Sequence, residues 1–337
     1  MAEAKGLPAD ELEAISERVL QFSEADHCRV RINSGWRGYT RVATNRITSA
    51  GGSDSTSVNI SSIFGKRVAS VDTNRLGDSD LLNAVRRSEQ MARLVPENPE
   101  YLPELGPQQY QDNGAYYAET GELEPSTRAS AAAIAIDQAN AAGQIVSSYM
   151  DVRAGTSSIG TSNGLFGSHS STAVAYTLTS RSPDGLKSGW AGDAANNWNN
   201  IESQRVADDA IRKCRDWHKT PLDPGEYTVI LEPTAVGMLM LRMMNSFNRR
   251  TADEGRSYFS NPHGGNRLGE QLFDERVNLW SDPAYADCET APFNSIGQPL
   301  VRQKWVEDGR LTGLACSRYW AQQQGVEALG SPSNFIM

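Results

Sequence analysis

The stretch His27-Cys28-Arg29-Val30-Arg31-Ile32-Asn33 decides the fold. Cys28, Val30 and Ile32 alternate with Arg29, Arg31 and Asn33, and a period of two is the mark of a strand with one face buried and one face wet. Upstream, residues 8–24 place Leu12, Ile15, Val19, Leu20 and Phe22 near a 3.6-residue period behind the acidic turn Asp10-Glu11, which predicts an amphipathic helix lying on that strand's sheet. Downstream, Thr56 to Phe64 and Arg67 to Asp72 flank Gly65-Lys66 at the spacing of a tight hairpin. Asp78 stands where a cap belongs, and Leu81, Leu82, Val85, Met91, Ala92 and Val95 mark a second helix that Pro96 ends. Helix, meander and helix in that order predict an α+β fold with an α/β sandwich at its start.

The prolines at 96, 99, 103, 107 and 125 predict an extended, irregular crossing. Ser126 and Thr127 are expected to cap an Ala-rich helix that Gly143 stops, and Ile145 to Ser182, with Asn163-Gly164 as a turn, reads as paired antiparallel strands. Residues 201–218 carry an apolar stripe of Val206, Ala207, Ala210, Ile211, Cys214 and Trp217, ended by Pro221 and Pro224-Gly225. We place a boundary there, giving domains 1–221 and 222–337. The second opens with a predicted strand, Tyr227 to Leu231, running through Pro233 into a helix from Thr234 to Phe247.

Composition narrows the function. The 337 residues hold 32 Lys and Arg against 41 Asp and Glu, a net charge of −9, which argues against a nucleic-acid binder working by phosphate neutralisation. At roughly 150 residues per domain the length suggests two domains. Hydrophobic residues at 39% exclude a disordered chain, and the apolar run Ala235 to Met244 is broken by Arg242 and too short to span a bilayer. The polar N-terminus lacks a signal-peptide pattern, so cytoplasmic residence and no membrane partner are expected. Cys28, Cys214, Cys288 and Cys316 are widely spaced and read as reduced thiols.

No GxSxG, HExxH or phosphate-loop motif is present. His27 and Cys28 leave opposite faces of a strand, so they read as an exposed histidine and a core cysteine. Cys214 and His218 are four apart on the expected helix, but Cys214 already belongs to its apolar stripe. His263 lies in the loop Asn261-Pro262-His263-Gly264-Gly265, with no second ligand visible nearby, while Asp253 and Glu254 followed by Arg256 read first as solvated loop charge and second as a general-base pair with a clamp. Met238, Met240, Met243 and Met244 read first as core filler and second as a groove.

The order Glu226-Tyr227-Thr228-Val229-Ile230-Leu231-Glu232-Pro233, Val236-Gly237, Gly255-Arg256-Ser257, Leu268-Gly269-Glu270, Asp282-Pro283 and Glu307-Asp308-Gly309-Arg310-Leu311 resembles the TldD/PmbA family of peptidases, also labelled modulators of DNA gyrase. Thr44-Asn45-Arg46-Ile47, Phe64-Gly65-Lys66-Arg67, the helix from Asp78 to Arg93 and Asn163-Gly164 extend the resemblance across nearly the whole chain. It implies a mostly antiparallel, barrel-like β domain at the C-terminus. In the family's catalytic branch the helix after the Val229-Ile230-Leu231 strand carries HExxxH, whose histidines bind zinc and whose glutamate activates water. Those positions fall on Leu241, Arg242 and Ser246. None of the three can serve: leucine has no donor atom, arginine stays protonated, and serine is a poor zinc ligand.

The acidic pair that family members often carry before the glycine of Pro292-Phe293-Asn294-Ser295-Ile296-Gly297 is also absent, and the chain ends at Ser331 to Met337, where relatives continue into further β structure, so the C-terminal domain is expected to be short or incomplete relative to the family. The resemblance implies a PmbA/TldE-like subunit with no catalytic residue and no cofactor of its own. Zinc is expected in a TldD-like partner, and unfolded peptides are the expected substrates. Leu241, Arg242, Asn245, Ser246, Arg256, Ser257 and His263 are the residues expected to face the substrate chamber. The alternatives are a homodimeric peptide-binding scaffold without protease activity, and a hydrolase with a metal site of His263, Asp253 and Glu254.

Overall fold

The structure, a computed structural model, describes residues 5–337. The predicted helix forms as α1 (Ala9–Phe22), and the decisive stretch opens β1 (His27–Ala43), which continues far beyond it. It turns at Thr44 and Asn45, both at positive φ, into β2 (Arg46–Phe64), and the glycine turn leads to β3 (Arg67–Thr73). Asn45 accepts such a conformation well, and its amide is fixed by bonds to Val146 N–H at 2.7 Å and Gln144 C=O at 2.9 Å. Then follow α2 (Asp78–Leu94), the irregular crossing, the short α3 (Ala118–Gly121) and α4 (Pro125–Ala141). The paired strands are β4 (Ile145–Thr161) and β5 (Phe166–Arg181), joined by β6 (Ser188–Ala195) and covered by α5 (Ser203–Arg215).

The six strands form one antiparallel sheet in the order β3-β2-β1-β4-β5-β6. Register carries the even-numbered residues of β1, β4 and β5 to one face: Val30, Ile32 and Val42 pair beside Gly160, Ser158 and Ser148, and Val152 opposes Val174. Helices cover that face alone. Under α1 and α2 lie Leu12, Val19, Val30, Ile60, Leu81 and Val85; under α4 and α5 lie Ala135, Met150, Tyr176, Leu178, Val206 and Ala210. The other face carries Arg31, Asn33, Gly35, Arg37 and Tyr39 of β1 beside Ser157, Gly155, Arg153 and Asp151 of β4. Asp151 holds both Arg37 and Arg153, the latter at 2.8 Å. At one end the crossing and later residues close this face through Leu105, Tyr110, Ile159, Leu165 and Phe293.

Beyond residue 222 come α6 (Pro233–Met244), α7 (Arg249–Asp253), β7 (Leu279–Ser281), β8 (Gln303–Glu307), β9 (Arg310–Leu311) and α8 (Arg318–Gln324). Phe247, Phe259, Leu279, Trp305, Val306 and Leu311 form their core, with the Phe247 and Phe259 rings 4.8 Å apart and Trp305 Nε1 donating to Ser281 at 2.9 Å. A seam ties this part to the sheet. Tyr117 O–H donates to Glu289, which also accepts from Asn196 at 3.0 Å, and Tyr110 O–H donates to Gly297 C=O at 2.7 Å. Bonding to the Glu289 carboxylate, with burial, pushes the Tyr117 phenol up to about 12.

Several expectations are corrected. The C-terminal part is α+β, but its antiparallel sheet has three strands, β7-β8-β9, and no closed barrel forms among the described residues. Tyr227 to Leu231 is extended without a ladder: the alternation is there, but no strand lies alongside to pair with it. Gly77, not Asp78, is the N-cap of α2, and Glu124, not Ser126, that of α4, where Pro125 supplies the start. α5 ends at Arg215, so His218 lies outside it and shares no helix face with Cys214. All four cysteines are free. No helix among the described residues is long and apolar enough to cross a membrane.

Two predictions follow from this packing. A Cβ on Gly189 of β6 would sit 2.2 Å from Ala210 C=O and 2.4 Å from Cys214 N, so Gly189→Ala forces α5 off the sheet. We expect a lower midpoint in thermal unfolding, equivalent to about 1–3 kcal/mol. Burial lowers the pKa of His169 below its ordinary 6.5, against the opposing pull of Asp112. Below pH 6.5 the unfolded chain therefore binds a proton that the folded chain does not, and stability falls as the solution is acidified. His169→Gln should flatten that part of a pH series of urea unfolding.

Candidate functional site

α6 starts because Pro233 fixes a helical φ at its first position and Ala, Leu and Met sustain it. None of its residues is buried. Met240 and Met243 lean on the C-terminal core, while Met238, Leu239 and Leu241 are exposed. Before it, Val229 and Leu231 are exposed and Ile230 is 99% exposed. Of these, Leu231, Met240 and Leu241 help line a groove of about 530 Å³, together with Val236, Met244 and Phe335. A helix apolar on every side is stable only against a cover, and a contiguous apolar patch of this kind marks an interaction surface.

The chain's expected site residues divide around this helix. Leu241 lines the groove, and Arg242 is exposed with no ion pair among the described residues. Asn245 caps the helix and Ser246 lies just past it, so Arg242 and Ser246 do not share one helical face. Ser257 donates to Ser246 C=O at 3.2 Å, which joins the following loop to the helix end. Arg256 is bound to Glu254, whose pKa is lowered first by that bond and then by one from Arg250. His263 is exposed on the turn closed by Asn261 and Gly265; its backbone N–H donates to Asn261 Oδ1 at 2.9 Å, and none of the described hydrogen bonds joins its ring to α6.

The carboxylates weighed as partners of His263 are engaged elsewhere. Asp253 accepts from Trp320 Nε1 at 2.8 Å and from Asn266 at 2.5 Å, and Glu254 serves two guanidiniums. Among the described residues no three His, Cys, Asp or Glu side chains cluster as metal ligands. At the helix itself an aliphatic side chain, a cation and a lone hydroxyl do not fit a divalent ion: Arg242 repels it and Leu241 offers no lone pair.

Residues 224–335, which hold α6, the groove and the three-stranded sheet, match the family described as the PmbA/TldA metallopeptidase C-terminal domain. Residues 224–335 thus belong to a C-terminal domain of the TldD/PmbA family. Solved structures of similar fold agree. TldE from Thermococcus kodakarensis superposes with a TM-score of 0.80 at 16% identity, over 95% of this chain and 72% of that one. A protein described as a modulator of DNA gyrase from Thermotoga maritima gives 0.84 at 16%, over 96% and 77%. A second protein so described, from Bacteroides thetaiotaomicron, gives 0.83 at 18%, over 97% and 77%. At such identities the likeness speaks for the fold. No curated protein sequence matches the chain.

Sequence reasoning found the helix but missed its exposure. The methionines fit either a core or a groove, and only the absence of a neighbour distinguishes the two. Because Leu241 is solvent-facing, Leu241→Asp should leave the thermal midpoint nearly unchanged, within about 0.5 kcal/mol, and sharply reduce the fluorescence of an apolar dye bound in the groove. Unchanged dye fluorescence would show the groove is closed in solution.

Proposed function

We propose that this chain is a PmbA/TldE-like, non-catalytic subunit that acts with a TldD-like zinc subunit in processing unfolded peptides. One observation carries the reading: a metallopeptidase C-terminal domain in which the positions of the metal motif hold Leu241 and Arg242 on α6 and Ser246 just past it. The exposed apolar face of α6 and the unpaired segment before it supply the kind of surface that a partner polypeptide covers. Leu241, Arg242, Asn245, Ser246, Arg256, Ser257 and His263 would then border the path of the peptide. Arg242, free of an internal partner, could hold a peptide carbonyl or carboxylate. A pair of identical chains covering each other's α6 is the competing reading, and it rests on the same face.

The test is cleavage of an unfolded peptide by this chain alone, by a TldD-like subunit alone, and by both together, each with and without a chelator. Cleavage that requires both chains and is lost with the chelator supports the proposal. Cleavage by this chain alone, or one tightly held zinc per chain after purification, overturns it.

A further inference from the structure

β5 is an edge strand over half its length. Its partner β6 begins opposite Val174, so residues 166–173 have no strand on that side. The crossing runs beside them and touches the edge at Thr172, whose N–H donates to Ala115 C=O at 3.0 Å. Alternate residues of an antiparallel strand direct their N–H and C=O the same way, so Ser170 and Ser168 present theirs outward as Thr172 does. No backbone hydrogen bond among the described residues reaches either from that side. Instead they border a cavity of about 420 Å³ between the strand, the crossing at Tyr110 to Gly114, Tyr116 and Pro292. A water takes about 30 Å³, and ligand pockets start at about 300 Å³.

Two residues that line this cavity each carry a buried polar atom without a partner. One is Nε2 of His169, a residue only 8% exposed. The other is Oδ1 of Asn113, whose orientation is set because its amide donates to Pro283 C=O at 2.9 Å and Thr290 C=O at 2.7 Å. A buried polar atom left unpaired costs about 1–3 kcal/mol, so such atoms mark strained points in the lining. Asp112 is the one ionised side chain among the described lining residues, and the imidazole beside it is held neutral by burial. The lining therefore offers a negative charge with a bare strand edge next to it.

We propose that this cavity binds the free amino end of an extended peptide, whose backbone pairs with Ser168 and Ser170 while its ammonium is held by the Asp112 carboxylate. Pairing along a strand edge reads backbone and not side chains, which suits substrates of varied sequence; the negative charge restricts the site to a terminus. The inference rests on the peptide-processing reading and adds to it a second contact point, on the N-terminal sheet and apart from α6.

The experiment uses the full chain and a dye-tagged unfolded decapeptide of Ser and Ala, with its amino terminus free or acetylated, followed by fluorescence anisotropy. Acetylation should weaken binding roughly tenfold or more. Asp112→Asn, an exposed change that leaves the fold intact, should weaken the free peptide by a similar factor and leave the acetylated one unaffected. Ser170→Pro, with folding checked by circular dichroism, should abolish binding of both. No binding to the unaltered chain, or equal affinity for the two peptides, or indifference to Asp112→Asn, overturns the proposal. Cleavage by the two-subunit complex is measured separately. Intact cleavage without terminal discrimination removes this pocket alone, and intact discrimination without cleavage removes the subunit reading alone.

Discussion

The register between β1 and β4 is the constraint on which the rest of the molecule depends. A slip of one residue would carry Val30, Ile32 and Val42 to the open face and Arg31, Arg37 and Arg41 under the helices, into a largely apolar core. The pairing is held at its middle by Gly35 and Gly155. A Cβ on Gly35 would lie 2.6 Å from Ala154 C=O, and one on Gly155 would lie 2.5 Å from Ser34 C=O, so only bare backbones can approach this closely there. With the register set, four helices follow onto one face, and the free edge of β5 and its neighbouring crossing are placed by consequence.

Much of this architecture was legible in residue order because its signals are local. Alternation at Cys28, Val30 and Ile32 and the spacing of Leu12, Ile15 and Val19 each reflect burial on one side of one element. The turn at Gly65-Lys66 and the stop at Gly143 announce themselves by the left-handed backbone that glycine tolerates. Thr44-Asn45 makes an equally tight turn without such a signal, and so β1 and β2 were each read far too short. Tyr227 to Leu231 shows the opposite failure: the side chains alternate well, but a strand exists only if another pairs with it, and that is not a local property.

The candidate sites were less legible for the same reason. The departure at Leu241, Arg242 and Ser246 could be read once the surrounding pattern was recognised, since it concerns residue type alone. The solvent exposure of the helix could not. The cavity beside β5 assembles Asn113 from an irregular crossing, His169 from a strand and Pro292 from the C-terminal part, three residues with no shared spacing. The unpaired atoms of Asn113 and His169 are visible only after every nearby donor and acceptor has been assigned.

The extended segment Val229 to Leu231 has a consequence for the cell. Greasy, β-branched and unladdered, it is the type of sequence that recruits other nascent chains into stacked fibrils or is seized by folding helpers that survey exposed strands. A cell making this polypeptide without anything to sheathe that ribbon would face a proteostasis burden, and the abundance of the protein should follow the supply of its cover more closely than the rate of its own synthesis.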